Sequence, residues 1–501
     1  MGMSITRRQL LERAGSTTAG VLGLGLLGQG LGVGSSEAAP VSPSASAALT
    51  HFVTRPDLTA PVVKVSRSGP ADGVGYTFMN APFTEESPGG SVIRDPTGEL
   101  VWMGLNTVGH HRFDVNVQTY QGKPVLTWWE GGLTPSDYGL GVGMIADSSY
   151  RTTHVVQAHH GLQVDLHEFN LTSQGTALIS AYRKSAADLS SVGGPVGGYV
   201  LSGVVQEIDI ATGELLLEWD SLNYVPLTES WEPVSASGTS DDPWDYFHLN
   251  SIAVASDGDL LVSGRNTWTV YKIARRTGKM VWRLGGKRSD FRLGAGVPFH
   301  WQHHVRPHGA TTLTVFDNGA APQVERQSRV LILQLDAATR HVRLVRAFTH
   351  PDPPLLAHAM GSAELLPDGG MFVGWGATPY YSQFAADGSL VMDAKLPLGH
   401  PSYRTFNLGW TGQPTERPAV AASAGSSGAI VYASWNGATT AASWSVLAGK
   451  QSSSLAYIGT TRRTGFETTI AVANAGPYFA VEPRDEFGNV LARSATARLV
   501  S

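Results

Sequence analysis

Between about Gly75 and Leu408 the chain reads as one short apolar run after another, each cut by turn residues. The clearest stretch has apolar runs at 251–256, 260–263, 269–273 and 279–284. Asp257-Gly258 separates the first two and Thr277-Gly278 the last two. Asp-Gly and Thr-Gly between alternating apolar runs mark hairpins, so this stretch predicts a four-stranded antiparallel meander. The pattern then repeats. Asp95-Pro96-Thr97-Gly98-Glu99-Leu100-Val101-Trp102 and Asp209-Ile210-Ala211-Thr212-Gly213-Glu214-Leu215 carry the outer turn, with shorter forms at Asp336 and Asp387-Gly388. Gln121-Gly122, Gln174-Gly175 and Asp368-Gly369 carry the inner turn, each followed by an apolar strand. The spacing is on the order of 50 to 80 residues, above the ~40–50 of compact propeller repeats, so some loops are long. Roughly six such units fit into 75–412, and radial repetition is the arrangement that protects so many strand edges. Helical periodicity is nearly absent.

The texture changes after Trp410-Thr411-Gly412. A linker with Pro414 and Pro418 leads into 421–428, which reads as small and flexible. Apolar runs follow at 430–435, 444–447 and 478–481, with turns at Asn436-Gly437 and 485–488. This rhythm predicts a small immunoglobulin- or fibronectin-like β-sandwich over 413–501 that braces the larger unit. The fold expectation is therefore all-β, a six-bladed β-propeller followed by that sandwich.

At the other end, Thr6-Arg7-Arg8-Gln9-Leu10-Leu11 is a twin-arginine pattern. A Gly-rich, weakly apolar stretch follows from about Thr17 to Val33, then Ser36-Glu37-Ala38-Ala39-Pro40. That order reads as a signal peptide over 1–39, a linker and N-terminal extension over 40–74, and export by the twin-arginine machinery. The protein is expected to be secreted or held at the cell envelope. No later segment is long and apolar enough to span a bilayer. The chain has no cysteine among its 501 residues, which excludes disulfides, thiolate metal sites and a thiol nucleophile. Its net charge is −5 with no basic tract, which argues against nucleic acid as a partner.

Histidine is the residue that carries candidate chemistry. There are sixteen, and three places stand out. These are Asp165-Leu166-His167-Glu168-Phe169, then Trp244-Asp245-Tyr246-Phe247-His248-Leu249-Asn250-Ser251 followed by Arg265, and His300-Trp301-Gln302-His303-His304-Val305-Arg306. His248 and Asn250 lie two apart, which on one strand puts both on the same face. Arg265 ends the next strand, in reach of the same mouth.

These segments resemble the ordered motifs of the arylsulfotransferase family, enzymes that use aryl sulfate esters and no nucleotide donor. The same likeness runs through Gly264-Arg265-Asn266, Val281-Trp282-Arg283-Leu284-Gly285-Gly286-Lys287, Thr314-Val315-Phe316-Asp317-Asn318-Gly319 and Gly374-Trp375-Gly376. In the tail it includes Ser434-Trp435-Asn436-Gly437 and Gly465-Phe466-Glu467-Thr468. The resemblance implies a six-bladed propeller and a phenolic sulfate donor and phenolic acceptor as partners. It implies His303 as the residue that carries the sulfuryl group, His167 and His248 as supporting histidines, and Asn250 and Arg265 as holders of the sulfuryl oxygens. The residue after Gln302-His303 is commonly an acid in related sequences and is His304 here, which leaves the choice between His303 and His304 open. Adjacent residues on a strand face opposite ways, so one of the two is expected to reach the channel.

The chemistry suits these residues. Sulfuryl transfer, like phosphoryl transfer, spreads charge over equatorial oxygens and asks for positioning and oxyanion stabilisation. A neutral imidazole is a competent nucleophile near pH 7, and a second can move the phenolic proton. No cofactor and no metal is called for. The alternatives are a quinone-cofactor dehydrogenase, suggested by Thr277-Gly278-Lys279-Met280-Val281-Trp282; a zinc enzyme, suggested by His303, His304 and His308; and a non-catalytic binding propeller. Trp128, Trp129, Tyr246, Trp268 and Trp301 are candidates to line an aryl pocket.

Overall fold

The computed structural model describes residues 49–68, 75–82, 84, 87–135, 138–234, 237–473 and 476–500. The proposed signal peptide lies outside the described residues. Among those described, no helix is long and apolar enough to cross a membrane.

The chain is all-β, built almost wholly of antiparallel meanders. The stretch 249–285 shows why. Leu249–Val254, Leu260–Gly264, Thr269–Ile273 and Met280–Gly285 pair in chain order. Gly258 and Gly278 turn the chain with φ of +87° and +67°, values that glycine adopts without a Cβ clash. The sheet before it starts with Phe169–Leu171 and the sheet after it with His303–His308. A further sheet starts with His111–Tyr120 and another with Ser362–Leu365. The sixth is made from both ends of this region: Phe406–Leu408 pairs with Tyr76–Ala81, followed by Gly90–Arg94 and Leu100–Leu105. Lys64–Arg67, within the expected extension, adds a strand to the sheet of Ser362–Leu365.

Successive sheets share apolar cores. Trp129 and Ile145 of one meet Ala177 and Ile179 of the next. Val205 and Trp219 then meet Ile252 and Tyr271, and Leu261 and Val270 meet Val315 and Leu331. Phe316 and Phe348 meet Met371 and Phe384, and Phe372 and Tyr381 meet Met79 and Val92. Last, Phe78 and Ile93 of the sixth sheet pack with Val115 and Leu126 of the first. Each large apolar side chain so buried contributes about 1.5–3 kcal/mol, and the last and first sheets share such a core as the other neighbours do.

Beyond 412 lie a three-stranded and a four-stranded sheet with a joint core of Val431, Trp444, Val446, Ile470, Phe479 and Val481. The segment read as flexible is instead a strand, Ala419–Gly425 on Gly428–Ser434. Its small residues hide the alternation, and the partner strand supplies the order. Asn436, in the expected turn, also docks this part on the body: its Oδ1 accepts from Met103 N at 2.9 Å and its Nδ2 donates to Met103 O at 3.0 Å.

Candidate active site

His303, His248, His167, Asn250 and Arg265 converge where the first strands of three adjacent sheets begin. His303 opens its strand and is buried. Its Nδ1 donates to Asn318 Oδ1 at 2.7 Å. Asn318 cannot turn its amide over, because its Nδ2 already donates to Ala357 O and Met360 O at 2.9 and 3.0 Å. The proton is thereby fixed on Nδ1 and the lone pair on Nε2, which accepts from the Met360 N–H at 3.3 Å. Burial first, then Arg265 and His248, hold His303 well below the usual imidazole range, so the ring is neutral.

His167 and His248 are built differently. Each has a carboxylate at Nδ1, Asp165 at 2.6 Å and Asp245 at 2.5 Å. Asp165 is itself clamped by the N–H groups of Gly139 and His167 and by Ser180 Oγ. Burial opposes its ionisation, but His167 and these donors outweigh it and keep the carboxyl below its ordinary range. Burial lowers His248, with Asp245 opposing. The two rings meet edge to face with centroids 4.8 Å apart. His248 is the more open, with 14% of its side chain exposed against 6% for His167.

Two expectations about strand faces need correction. His248 is not on a strand: its φ is +51°, Leu249–Val254 begins after it, and the register slips between Leu249 and Ser251. The shared-face argument for His248 and Asn250 therefore fails. A turn pinned by Asp245 aims the histidine, while Asn250 lies buried in the strand and donates its Nδ2 to Gln302 O at 2.7 Å. The His303-His304 pair also sits at a bulge, with φ of +47° at His304. The two rings nonetheless have separate surroundings. His304 Nδ1 accepts from Ala363 N at 3.2 Å, its ring lies 5.6 Å from Phe406, and burial and Arg306 hold it far below the usual range.

Arg265 follows Leu260–Gly264 and is fixed by its own N–H to His248 O at 3.0 Å. Its guanidinium spreads over Trp301 at 4.8 Å and donates to Asn266 Oδ1 and His358 O at 2.8 and 3.2 Å. Gln302, buried beside it, binds Ser263 Oγ and Gly264 O and so ties the Arg265 and His303 segments together. Of the aromatic candidates, Trp128, Trp129 and Tyr246 are core residues, whereas Trp268 and Trp301 adjoin Arg265. Tyr182, 6.2 Å from both histidine rings, and Tyr138 against it, were not foreseen.

The three histidines that suggested zinc diverge: His303 turns to Asn318, His304 to Ala363 and His308 to Thr314 Oγ1 at 3.0 Å. Among the described residues a different group, His300, Asp317 and Glu325, brings its ligand atoms within 4.8 Å of one another. Arg329 already bridges its two carboxylates at 2.8 and 3.2 Å, so a cation would have to displace a guanidinium.

No curated protein matches the chain. Similar solved structures include a Bacteroides caccae protein of unknown function, 12% identical over 67% of this chain and 99% of that one, with a TM-score of 0.42. A Lactobacillus plantarum protein is 14% identical over 79% of this chain and 100% of its own, at 0.36. A streptogramin B lyase is 11% identical over 67% and 97%, at 0.34. A sequence model of the arylsulfotransferase (ASST) family matches residues 116–396, which is more than half of the chain and holds His167, His248, Asn250, Arg265 and His303. The chain belongs to the arylsulfotransferase family.

Proposed function

We propose that the six sheets are the blades of a β-propeller, followed by a small sandwich, and that the exported enzyme moves a sulfuryl group from a phenolic sulfate ester to a phenol through a sulfohistidine on His303. The observation that carries this reading is the Asn318–His303 contact. It leaves an unprotonated Nε2, which accepts from the Met360 N–H, on a neutral ring that feels the charges of Arg265, His248 and His167. Nε2 attacks sulfur, and the bond from sulfur to the phenolic oxygen breaks with its electron pair on that oxygen. Because burial lowers His248, it is the minor, protonated form of that ring that supplies the proton, and the first phenol leaves. The acceptor phenol then gives its proton back to neutral His248 while its oxygen attacks sulfur and the S–N bond returns its pair to His303. Asp245 offsets the charge on His248 at the protonated stage, as a carboxylate partner does. Arg265 holds sulfuryl oxygens, joined by the second amide hydrogen of Asn250 and, once Nε2 has bonded to sulfur and released it, by the Met360 N–H. Met360 has φ +65°, a strained conformation of the kind found at functional sites.

An arylsulfate with a coloured phenol, incubated with and without a second phenol, tests the reading. Colour release should depend strongly on the acceptor and not on a nucleotide sulfate. Release indifferent to acceptor would indicate a sulfatase instead.

A further inference from the structure

Beneath the histidines lies a buried ionic cluster that the proposed chemistry does not use. Arg404, 3% exposed, stands at its centre. Its Nη1 donates to Asp114 Oδ2 and Glu168 Oε1 at 3.0 and 3.1 Å. Its Nη2 donates to Glu168 Oε2 at 3.2 Å and to two main-chain carbonyls, His167 O at 2.8 Å and Asn250 O at 3.0 Å. Glu168 is shared with Arg306, whose Nη2 lies 2.9 Å from both its oxygens, and it accepts from Ile252 N at 3.1 Å. Three segments of the site are therefore one bond or a few residues from this cluster: His167 through Glu168, Asn250 through its own carbonyl, and His303 through Arg306.

The origin of Arg404 gives the cluster its meaning. It lies two residues before Phe406–Leu408, the strand that pairs with Tyr76–Ala81 and joins the two ends of the propeller region. Asn80 in that partner strand grips the approach: its Oδ1 accepts from Tyr403 N at 2.7 Å and Ser402 Oγ at 3.1 Å, and its N–H donates to Ser402 Oγ at 3.2 Å. Tyr403 then sends its hydroxyl to His167 O at 2.9 Å, the carbonyl that Arg404 also takes. A planar fork with five N–H donors can hold carbonyls and carboxylates from several elements at once, and a lysine cannot.

We propose that Tyr403 and Arg404 are positioning residues that lock His167 and Asn250 in place, so that the site is completed only when the last strand of the propeller region has paired with its first. The proposal rests on the sulfuryl-transfer reading for its kinetic consequence and on geometry alone for its structural one.

The experiment compares the full chain with Arg404→Lys and Tyr403→Phe. The rate of sulfuryl adduct formation on His303 and the melting temperature are measured for each, together with the imidazole resonances of histidine-labelled protein. Arg404→Lys is expected to slow adduct formation about 100-fold, the scale of a ~1 Å misplacement, with donor KM within about threefold of wild type. The His167 resonances should shift and those of exposed His341 should not. Tyr403→Phe keeps the fold and should slow the step by about threefold to tenfold, with a smaller shift of the same signals. If Arg404→Lys does not fold, Tyr403→Phe decides alone. Wild-type adduct rates and unmoved His167 signals, with only melting lowered, would overturn the proposal. If the wild type itself forms no adduct, the transfer reading has failed; the His167 signals then still decide whether these residues position it.

Discussion

Three buried or half-buried histidines meet in one cluster, yet they are held in two ways. His303 faces a neutral amide, and His167 and His248 face carboxylates. An amide oxygen fixes which nitrogen carries the proton but adds little to the stability of an imidazolium. A carboxylate does both. A nucleophile needs its lone pair free and its ring neutral before attack, whereas a proton carrier needs a charged state within reach. The difference in partner thus separates the two proposed roles more sharply than position along the chain does.

The largest effect expected on this basis is at His303. Brief mixing with donor alone should leave a sulfuryl mass on the peptide that contains His303, labile to acid and discharged by added phenol. His303→Ala should lose both adduct and transfer, and His304→Ala should keep the adduct. An adduct that persists in the first variant and vanishes in the second would exchange the two histidines and break the comparison. Next in size is the proton carrier. His248→Gln should slow transfer to weakly acidic phenols by about 100- to 10,000-fold, the range for general acid–base groups. Loading from a donor whose phenol leaves readily as phenolate should suffer far less. Equal losses for both kinds of phenol, read from stopped-flow release of the coloured product, would deny His248 its role. Arg265→Ala comes third, with a loss of roughly 100- to 1000-fold for one preorganised oxyanion donor. Arg265→Lys should recover only part, because a point charge replaces a fork.

Much of this was legible in the residues. Strand boundaries in 249–285 follow Asp257-Gly258 and Thr277-Gly278 because those turns have only a few good sequences. Asp165 and Asp245 were visible too, two and three residues before their histidines, since a short loop brings such pairs together. Asn318 stands in the motif Thr314 to Gly319, but its partner lies fifteen residues away and only strand pairing unites them. Arg404 gave no local sign at all: its acceptors lie on Asp114, His167, Glu168 and Asn250, 154 to 290 residues distant. Strand periodicity misled at His248 and His304, where positive φ and bulges re-aim the side chains. Functional sites are where such local departures concentrate.

The smallest expected effect is also the most direct test of the amide–carboxylate contrast. Asn318→Asp would give His303 the kind of partner its neighbours have. A carboxylate at Nδ1 favours the imidazolium, so the pKa of His303 must rise from its depressed position. In the wild type that depression keeps the ring neutral to well below pH 6.5, so the acid limb of the loading rate should lie below 6.5. In the variant the limb should move upward. Loading at pH 5.5 should then fall several-fold while the rate at pH 8, where the ring is neutral in both proteins, changes little. The variant also loses the donors to Ala357 O and Met360 O and should melt lower, by an amount reflecting about 1–3 kcal/mol for unpaired buried carbonyls. That loss does not confuse the result, because the limb is read as a ratio of rates within one folded protein. A pH profile of adduct formation, followed by mass with a nitrophenol-type donor, provides it. An acid limb that stays in place in Asn318→Asp would mean that Asn318 does not control the protonation of His303, and the contrast between the two kinds of histidine would carry no chemistry.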